Sequence, residues 1–380
     1  MTEWKTYKLG DVCSRLRSGK GIPASEVSTC GKFAVVGGNG VRGYTDTSNF
    51  NGQCVVVGRQ GAYCGNVRYF DGEFYMPEHA VVIVGNELAD THFLAYLLST
   101  MHLGQLSAQS AQPGLSVQTL SKLEISLPGL EEQRRIAGIL GAIDDKIENN
   151  RRINTNLELQ AQALFEEWIS KSKTSKGVFN DIIQTTLAGD WGQETTQGNY
   201  THEVYCIRGA DIPSLRNGDK GKMPIRYILE KNYQAKQLRA NDLVIEISGG
   251  SPTQSTGRIC MITKSLLDRL AKDVVCTNFC RAITPKNGYT IFIFLYWQML
   301  YNKNTMFSYE NGTTGIKNLN ISDLISKEPI DIPKQEDVDK LNVVLQPIYD
   351  QIYANGLQNE TLATLRDTLL PKLMNGEIKI

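Results

Sequence analysis

The chain has 380 residues with 40 basic and 40 acidic side chains, and 41% of its residues are hydrophobic while 21% are charged. This length allows two or three domains with cores of their own, and the composition excludes a largely disordered protein. The balanced charge also excludes nucleic-acid binding through bulk positive charge, so any such binding has to come from local patches.

The first residues and the hydropathy of the chain indicate its compartment. The opening MTEWKTYKLG lacks the apolar core of a signal peptide, and no apolar run approaches the roughly 18 residues of a membrane span. The eight cysteines form no C-x-x-C pair, which predicts reduced thiols and no metal site. We therefore expect a cytoplasmic protein that does not bind membranes.

Residues 1–128 form a first predicted globular module. They are rich in glycine and β-branched residues, as in CVVVGRQGAYCGNVRYF, which predicts short strands joined by exposed turns. Arginine can fork onto guanine, amides can bridge adenine, and hydroxyl groups can bond base or phosphate, although a solvated surface group is the alternative for any one side chain. The candidate DNA contacts of this module are Arg15, Arg17, Ser18, Lys20, Asn39, Arg42, Tyr44, Arg59, Gln60 and Tyr63.

Residues 129–172 are predicted to form one long helix, because apolar residues step alternately by four and three along it. Such a helix would be roughly 60 Å long and needs a partner helix. The alternative is an amphipathic helix that packs on its own globular domain. The predicted seam residues are Ile136, Leu140, Ile143, Ile147, Asn150, Asn154, Leu157 and Leu164.

Residues 173–332 form a second predicted module, entered through the polar stretch KSKTSKG. Its run DLVIEISGGSPTQSTGRICMIT again predicts strands and exposed turns, with the same types of side chain in the loops. The candidate DNA contacts of this module are Arg208, Arg216, Lys220, Lys222, Ser251, Thr253, Gln254, Ser255, Thr256, Arg258, Tyr309, Asn311, Thr313 and Lys317.

Residues 333–380 are predicted to form a second long helix, whose seam repeats that of the first after 205 positions and departs from it at Arg366. Its seam residues are Leu341, Leu345, Ile348, Ile352, Asn355, Asn359, Leu362 and Leu369.

An internal repeat relates the two halves of the chain. FLAYLL from Phe93 recurs as FLYWQML from Phe294, and TLSKL from Thr119 aligns with NISDL from Asn320, both at an offset of 201 residues. A duplicated order of module and helix follows. The predicted fold is α+β, with two globular mixed α/β domains separated by two long helices that form an antiparallel coiled coil with a pseudo-twofold internal repeat.

The seam asparagines make this prediction sharper. A buried polar residue in a coiled coil fixes register and orientation at some cost in stability. If the two helices run antiparallel about a pseudo-twofold axis, Asn150 faces Asn359 and Asn154 faces Asn355.

Motifs of common DNA-modifying and nucleotide-hydrolysing enzymes are missing from the sequence. No proline follows Asp or Asn, no two prolines are adjacent, and every Gly-Lys pair lacks the first glycine of a phosphate-binding loop. The four histidines have neither the spacing nor the cysteine neighbours of a metal site. We therefore predict no catalytic residue and no metal site in this chain.

Several segments resemble the specificity (S) subunits of type I restriction-modification systems, and the resemblance covers nearly the whole chain. They are W-K-x-Y-K-L-G-D-V at the start, NGVRGY, GRQGAYCGNV and LSKLEISLPGLEEQRRIAGILGAIDDKIENN. The most specific is the family phrase L-P-x-L-x-E-Q-x-x-I, which residues 127–136 match at the start of the first helix. The second copy, from Ile332, departs from this phrase.

The resemblance implies two target-recognition domains that each recognise one half of an asymmetric bipartite site in double-stranded DNA, with the helical pair as a spacer. It also implies two modification subunits, which dock on the helices, bind S-adenosylmethionine and methylate adenine. Two restriction subunits with motor and nuclease would complete the complex and use ATP and Mg, and this chain would hold no cofactor. The candidate subunit contacts are Arg134, Arg135, Arg151 and Arg152, for which a solvated helix face is the alternative.

The alternative function is a non-catalytic coiled-coil scaffold that carries two protein- or glycan-binding modules. Salt dependence separates the two functions, because phosphate contacts make affinity fall steeply with salt whereas apolar protein contacts do not.

Overall fold

The computed structural model describes residues 4–107, 114–251, 253–312, 316–378 and 380. The chain forms two compact units. The first comprises Met1–Asp145 with Leu362–Ile380, and the second comprises Lys146–Thr361. Each unit therefore combines a globular part with segments of two long helices.

The first globular part is built around a six-stranded sheet. The elements of this globular part are β1 (Lys5–Lys8), β2 (Cys13–Ser18), β3 (Phe33–Gly37), β4 (Gly40–Thr45), β5 (Phe50–Gly58), β6 (Val67–Tyr75), β7 (Ala80–Gly85), α1 (Thr91–Thr100), α2 (Val117–Ser121) and β8 (Glu124–Leu127). The sheet has the order β2-β7-β5-β6-β3-β4 and is antiparallel except between β3 and β6. Residues 54–57 of β5 are all buried, as expected for a central strand covered on both faces.

One core joins the sheet of the first unit to its helices. The helix α1 is capped at its N-terminus by Asp90, whose side chain accepts a hydrogen bond from Phe93 N at 2.9 Å. Phe93 is fully buried, and the same apolar cluster contains Val55 of the sheet, Leu140 of the first long helix and Leu373 of the second. The long helices are thus part of the core of this unit.

The second globular part lies between the two long helices in the sequence. The first long helix is α3 (Leu130–Lys171), and the second is α9 (Gln335–Met374). The elements between them are β9 (Thr174–Gly177), β10 (Ile183–Ala188), β11 (Tyr200–Ile207), α4 (Ile212–Arg216), β12 (Ile225–Leu229), α5 (Glu230–Lys236), β13 (Leu243–Glu246), β14 (Ser248–Gly249), β15 (Ile259–Met261), α6 (Lys264–Asp268), β16 (Asp273–Cys276), β17 (Cys280–Pro285), α7 (Thr290–Asn302), β18 (Glu310–Asn311), β19 (Lys317–Leu319), α8 (Ile321–Lys327) and β20 (Ile330–Pro333). Its sheets have the orders β10-β17-β13-β15, β12-β11-β16, β14-β19-β18 and β20-β9. The division of the chain into four domains at residues 128, 172 and 332 stays a prediction.

The core of the second unit is organised around α7. Trp297 of this helix is fully buried and donates from Nε1 to the carbonyl of Gly257 at 2.7 Å. Phe165 of α3 packs edge-on against Phe292 of α7, with ring centroids 5.7 Å apart. Within the described parts of the chain, no helix combines the length and the apolar character that crossing a membrane requires.

The internal repeat is visible in the order of the elements. β1 pairs with β8 directly before α3, and β9 pairs with β20 directly before α9. The equivalent short helices α2 and α8 begin with the side-chain caps Ser116 and Asn320, so their offset is 204 residues. The predicted alignment of Thr119 with Asn320 was therefore wrong by three residues, because the repeat gains length between α7 and α8.

The two long helices run antiparallel where they meet in the second unit. Asn150 Nδ2 donates to Asn359 Oδ1 at 2.9 Å, and Asn355 Nδ2 donates to Asn154 Oδ1 at 2.7 Å. Residue numbers that rise along α3 thus meet numbers that fall along α9. These contacts confirm the predicted antiparallel pairing of the helices.

The seam departs from a strict heptad pattern at two places. Leu164 was predicted in the seam but is 42% exposed, while the adjacent Phe165 is fully buried against α7. A straight helix drifts relative to a 3.5-residue repeat, and a step of four from the buried Ala161 reaches Phe165. In the first unit, Arg366 forms an ion pair with Asp144 at 2.7 Å, which accounts for a charged residue at a seam position.

We expect Phe165→Ala to destabilise the protein by about 3–5 kcal/mol, because it leaves a cavity beside α7. The matched variant Leu164→Ala removes a half-exposed side chain and should change stability by less than about 0.5 kcal/mol. Urea unfolding of both variants measures the difference. Equal losses would instead place Leu164 in the seam.

The asparagine pairs predict a second outcome. Replacing one pair in the double variant Asn150→Leu with Asn359→Leu should loosen the register, since leucines pack in several registers and paired amides bond in one. Cross-linking between cysteines introduced along the two helices should then spread to neighbouring positions. Ile147→Leu is the apolar control, and an unchanged cross-linking pattern in the double variant would contradict the role of the amides.

Candidate nucleic-acid interface

An open cleft of about 930 Å³ lies on the first unit, where the β3–β4 turn meets the loop after β5. It brings together four of the predicted DNA contacts from separate parts of the sequence. Its lining residues are Gly37, Gly38, Asn39, Arg42, Gly58, Gln60, Gly61, Ala62, Tyr63, Pro77 and His79.

Glycines make the floor of this cleft possible. A Cβ at Gly38 would lie 2.4 Å from Gly58 Cα, and a Cβ at Gly58 would lie 2.2 Å from Tyr63 O. Only hydrogen atoms fit between these backbones, so the turn and the loop approach each other as they do because both positions are glycine. The polar side chains of the two loops consequently border a single cleft.

Hydrogen bonds hold part of the cleft and leave the rest free for a ligand. Gln60 Oε1 lies 3.0 Å from His79 Nδ1. Asn39, Arg42 and Tyr63 are exposed and make no side-chain hydrogen bond with any residue that the structure describes. A cation, an amide and a phenol are therefore available together, which are groups that can meet phosphates and base edges.

The other candidates of the first unit lie outside the lining of the cleft. Arg59 Nη1 donates to Ser18 Oγ at 3.2 Å, so these two residues bond each other. Arg15 stacks on Phe50 with 4.9 Å from guanidinium to ring centroid, and burial followed by the charge of Arg17 lowers its pKa. The exposed candidates outside the cleft are Arg17, Lys20 and Tyr44.

The residues that follow β5 and precede β7 form one edge of the sheet in the first unit. In the second unit, the residues that follow β13 and precede β17 form the equivalent edge, with different side chains. Arg59 N donates to the carbonyl of His79 at 3.0 Å in the first unit, and Ile247 N donates to that of Phe279 at 2.9 Å in the second. Phe279 is 55% exposed. The position that carries an imidazole in one unit thus carries an aromatic apolar ring in the other.

Several candidates beside this edge are bound within their own unit. Arg258 forms a fork with the buried carboxylate of Glu246 at 2.7 and 2.6 Å, and these hydrogen bonds raise its pKa. Thr256 is fully buried and bonds Glu310, which also pairs with Lys317 at 3.0 Å. These contacts shape the loop, and their donors are not available to a ligand.

Two more of the predicted contacts in this loop region are also engaged or covered. Ser255 is only 4% exposed, so the predicted contact is not on the surface. Tyr309 donates its hydroxyl to Glu328 at 2.7 Å. Ser255 is thus covered, and the hydroxyl of Tyr309 is occupied within its own unit.

The basic candidates near α4 are likewise engaged. Arg208 forks onto the buried Asp211, whose hydrogen bonds raise the arginine pKa. Arg216 donates to Glu158 of α3 at 2.9 and 2.6 Å, and Lys220 pairs with Glu360 of α9. Arg216 and Lys220 thus tie the globular part to the long helices of the same unit, whereas Arg208 is held within the globular part.

The remaining candidates of the second unit are mainly uncharged. Ser251 accepts from the backbone nitrogens of Thr253 and Gln254 and so forms the turn that exposes these two residues. Lys222 and Asn311 are also exposed. Thr313 lies outside the residues that the structure describes.

His79 and Phe279 were missed in the sequence. The internal repeat could have identified them, because they lie 200 positions apart and the predicted offset of the repeat is 201 residues. Their side chains differ, so no motif connects them. Among the residues described, no group of three or more His, Cys, Asp or Glu is placed to hold a metal ion, and the eight cysteines are free.

Comparisons of the sequence with a family model and with known proteins agree on one family. The model of the type I restriction modification DNA specificity domain matches residues 1–159 and again 194–362. The MjaIX specificity subunit of Methanocaldococcus jannaschii is 28% identical over 313 residues, covering 76% of this chain and 69% of the relative. The EcoprrI specificity subunit of Escherichia coli is 37% identical over 146 residues, so that the match spans 37% of this chain and only 36% of that relative.

A solved structure has the same fold. It is the S subunit of a type I restriction-modification system from M. genitalium, with a TM-score of 0.56 and 18% identity over 98% of this chain and 96% of that one. At this identity the likeness concerns the fold alone.

The engaged and free arginines should behave differently on substitution. Arg216→Ala should cost about 1–3 kcal/mol of stability, because it removes charge-assisted hydrogen bonds to Glu158, and should leave the salt dependence of DNA binding unchanged. Arg42→Ala should change stability by less than about 0.5 kcal/mol. It should also reduce the slope of log affinity against log salt by about one. The reverse pattern in urea unfolding and salt titration would contradict this assignment.

Proposed function

The chain belongs to the type I restriction modification DNA specificity family, and from this premise we propose that it is a recognition subunit that binds a bipartite DNA sequence. Each globular part recognises one half of the site. The chain performs no chemistry itself, and methyl transfer and cleavage belong to its partners.

The observation that carries this proposal is the duplication of one specificity domain within a single chain. The same family model matches twice, and each match covers a strand that leads directly into a long helix, β8 into α3 and β20 into α9. Two related modules can each meet one half-site of a duplex, as duplicated DNA-binding modules do.

The side chains at the two edges support an asymmetric site. The first edge offers Arg42, Gln60 and Tyr63 around the cleft, whereas the second offers Gln254 and Phe279. Arginine and amide groups bond base edges, and aromatic rings make apolar contacts. Two edges with different donors favour two different half-sites.

The partners in this proposal are two modification subunits, which dock on the long helices, and two restriction subunits. The modification subunits hold S-adenosylmethionine and methylate adenine, and the restriction subunits use ATP and Mg. Exposed arginines on α3, at positions 134, 135, 151 and 152, are candidate contacts. Ile139 and Val344, at equivalent positions on α3 and α9, are 41% and 56% exposed and offer apolar contacts on both helices.

The test is co-expression of the chain with its modification subunit, followed by sequencing of methylated adenines in host DNA. We expect a single asymmetric motif of two short blocks separated by a fixed gap. A chain without a modification subunit is the control and should give no methylation. A stable complex that methylates nothing, or methylates without a motif, would contradict the proposal.

Salt titration of DNA binding by the same complex separates the proposal from a protein- or glycan-binding scaffold. DNA recognition predicts an affinity that falls linearly in log-log form with salt, because cations are released from phosphates. Binding that does not respond to salt would favour the scaffold.

A further inference from the structure

The two units present one side chain each at the same place in their folds. The backbone bonds from Arg59 to His79 and from Ile247 to Phe279 define this equivalence. A second bond supports it, because the carbonyl of Arg59 accepts from Leu115 N at 2.9 Å and that of Ile247 accepts from Leu319 N at 2.8 Å. Positions 79 and 279 are therefore equivalent because their backbones have equivalent hydrogen-bond partners. This equivalence does not depend on the exposure of their side chains.

We propose that residues 79 and 279 are equivalent specificity-determining positions, one for each half of the DNA site, and that His79 acts by orienting Gln60. This inference rests on the proposed function and deepens it. His79 is a positioning residue in this scheme, whereas Gln60 and Phe279 contact the DNA.

The hydrogen bonds around His79 fix the amide of Gln60. His79 Nδ1 lies 3.0 Å from Gln60 Oε1, and an amide oxygen only accepts, so Nδ1 is the donor in this hydrogen bond. Gln60 Oε1 is therefore occupied, and the NH₂ group of the same amide is left to donate. Gln60 and His79 both line the cleft, so this donor is offered to a ligand there.

A fixed amide donor favours some bases over others. Guanine N7 and O6, adenine N7 and thymine O4 accept in the major groove, whereas the exocyclic amino groups of cytosine and adenine donate. A freely rotating amide could meet either kind of group. Holding Oε1 on His79 therefore restricts Gln60 to acceptors and converts a tolerant side chain into a selective one.

Phe279 performs the equivalent task by a different contact. Its ring is 55% exposed and offers no polar group. The apolar group that a base pair presents in the major groove is the thymine methyl. A single exposed aromatic residue means little by itself, but its equivalence to a residue that lines the cleft places it where DNA would be recognised.

The experiment uses the complex with its modification subunit and duplexes in which each base pair of the site is changed in turn. We expect His79→Ala to reduce discrimination about tenfold at one base pair of one block, as loss of a single base-edge contact should. Gln60→Ala should reduce it at the same base pair. The double variant should behave as Gln60→Ala does, because His79 acts through Gln60.

Phe279→Ala is the matched variant in the second unit. It should relax one base pair of the other block that carries thymine, and leave the block sensitive to His79 unchanged. His79→Phe, which copies the residue type of the second unit, should give the same loss as His79→Ala and retains the bulk of the side chain. Unchanged discrimination in the other block shows in each case that the variant is folded.

Three results would overturn the inference. They are unchanged base preference in both His79 variants, additive effects in the double variant, and loss of discrimination in both blocks from a single substitution. Failure of the proposed function is a distinct result, since the parent complex would then show no bipartite preference at all, before any variant is compared.

Discussion

Two buried amide pairs set the register of the long helices in the second unit, and the core of this unit is built around these helices. A seam of leucine and isoleucine packs almost as well after a slip of one heptad, but the pairs of Asn150 with Asn359 and Asn154 with Asn355 bond in one register only. Asn150 Oδ1 and Asn359 Nδ2 have no hydrogen-bond partner among the described residues, so register is specified here at a cost in stability. Because β9 follows α3 and β20 leads directly into α9 in the same unit, this register is consistent with the pairing of these two strands.

The charged residues of the second unit serve mainly its own structure. Arg258, Arg216 and Lys317 are each held by a carboxylate on a neighbouring element, which aligns the loop and the helices. Ion pairs of this kind add geometric definition more than stability. The first unit keeps Arg42 free, so the two edges differ in charge as well as in shape.

The helices and the repeat could be predicted from the sequence because both are periodic. Heptad spacing is a local property, and it located α3 and α9 together with the facing asparagines. It failed at Leu164, because the packing partner of Phe165 is α7, an element more than a hundred residues away in the sequence. The offset between α2 and α8 was missed for a similar reason, since the inserted residues could be placed only by the caps at Ser116 and Asn320.

The candidate contacts were harder to predict. Residue type identified Arg42, Gln60 and Tyr63, which the glycines of two loops bring into one cleft. The same criterion also selected Arg208 and Arg216, because a sequence does not show which arginine finds a carboxylate within its own fold. His79 and Phe279 belong to the edge only through backbone hydrogen bonds between distant strands, and no local pattern encodes these bonds.

The turn after α4 limits how freely the second module can be exchanged during evolution. Asn154 Nδ2 donates to the carbonyls of Asn217 and Ile352, and a Cβ at Gly356 would lie 2.1 Å from Gly218 O. This turn is therefore fitted to the helix seam by backbone atoms and two glycines. A foreign module that recombined into this position would have to bring a turn of the same shape, whereas its outer loops could vary independently of the helices.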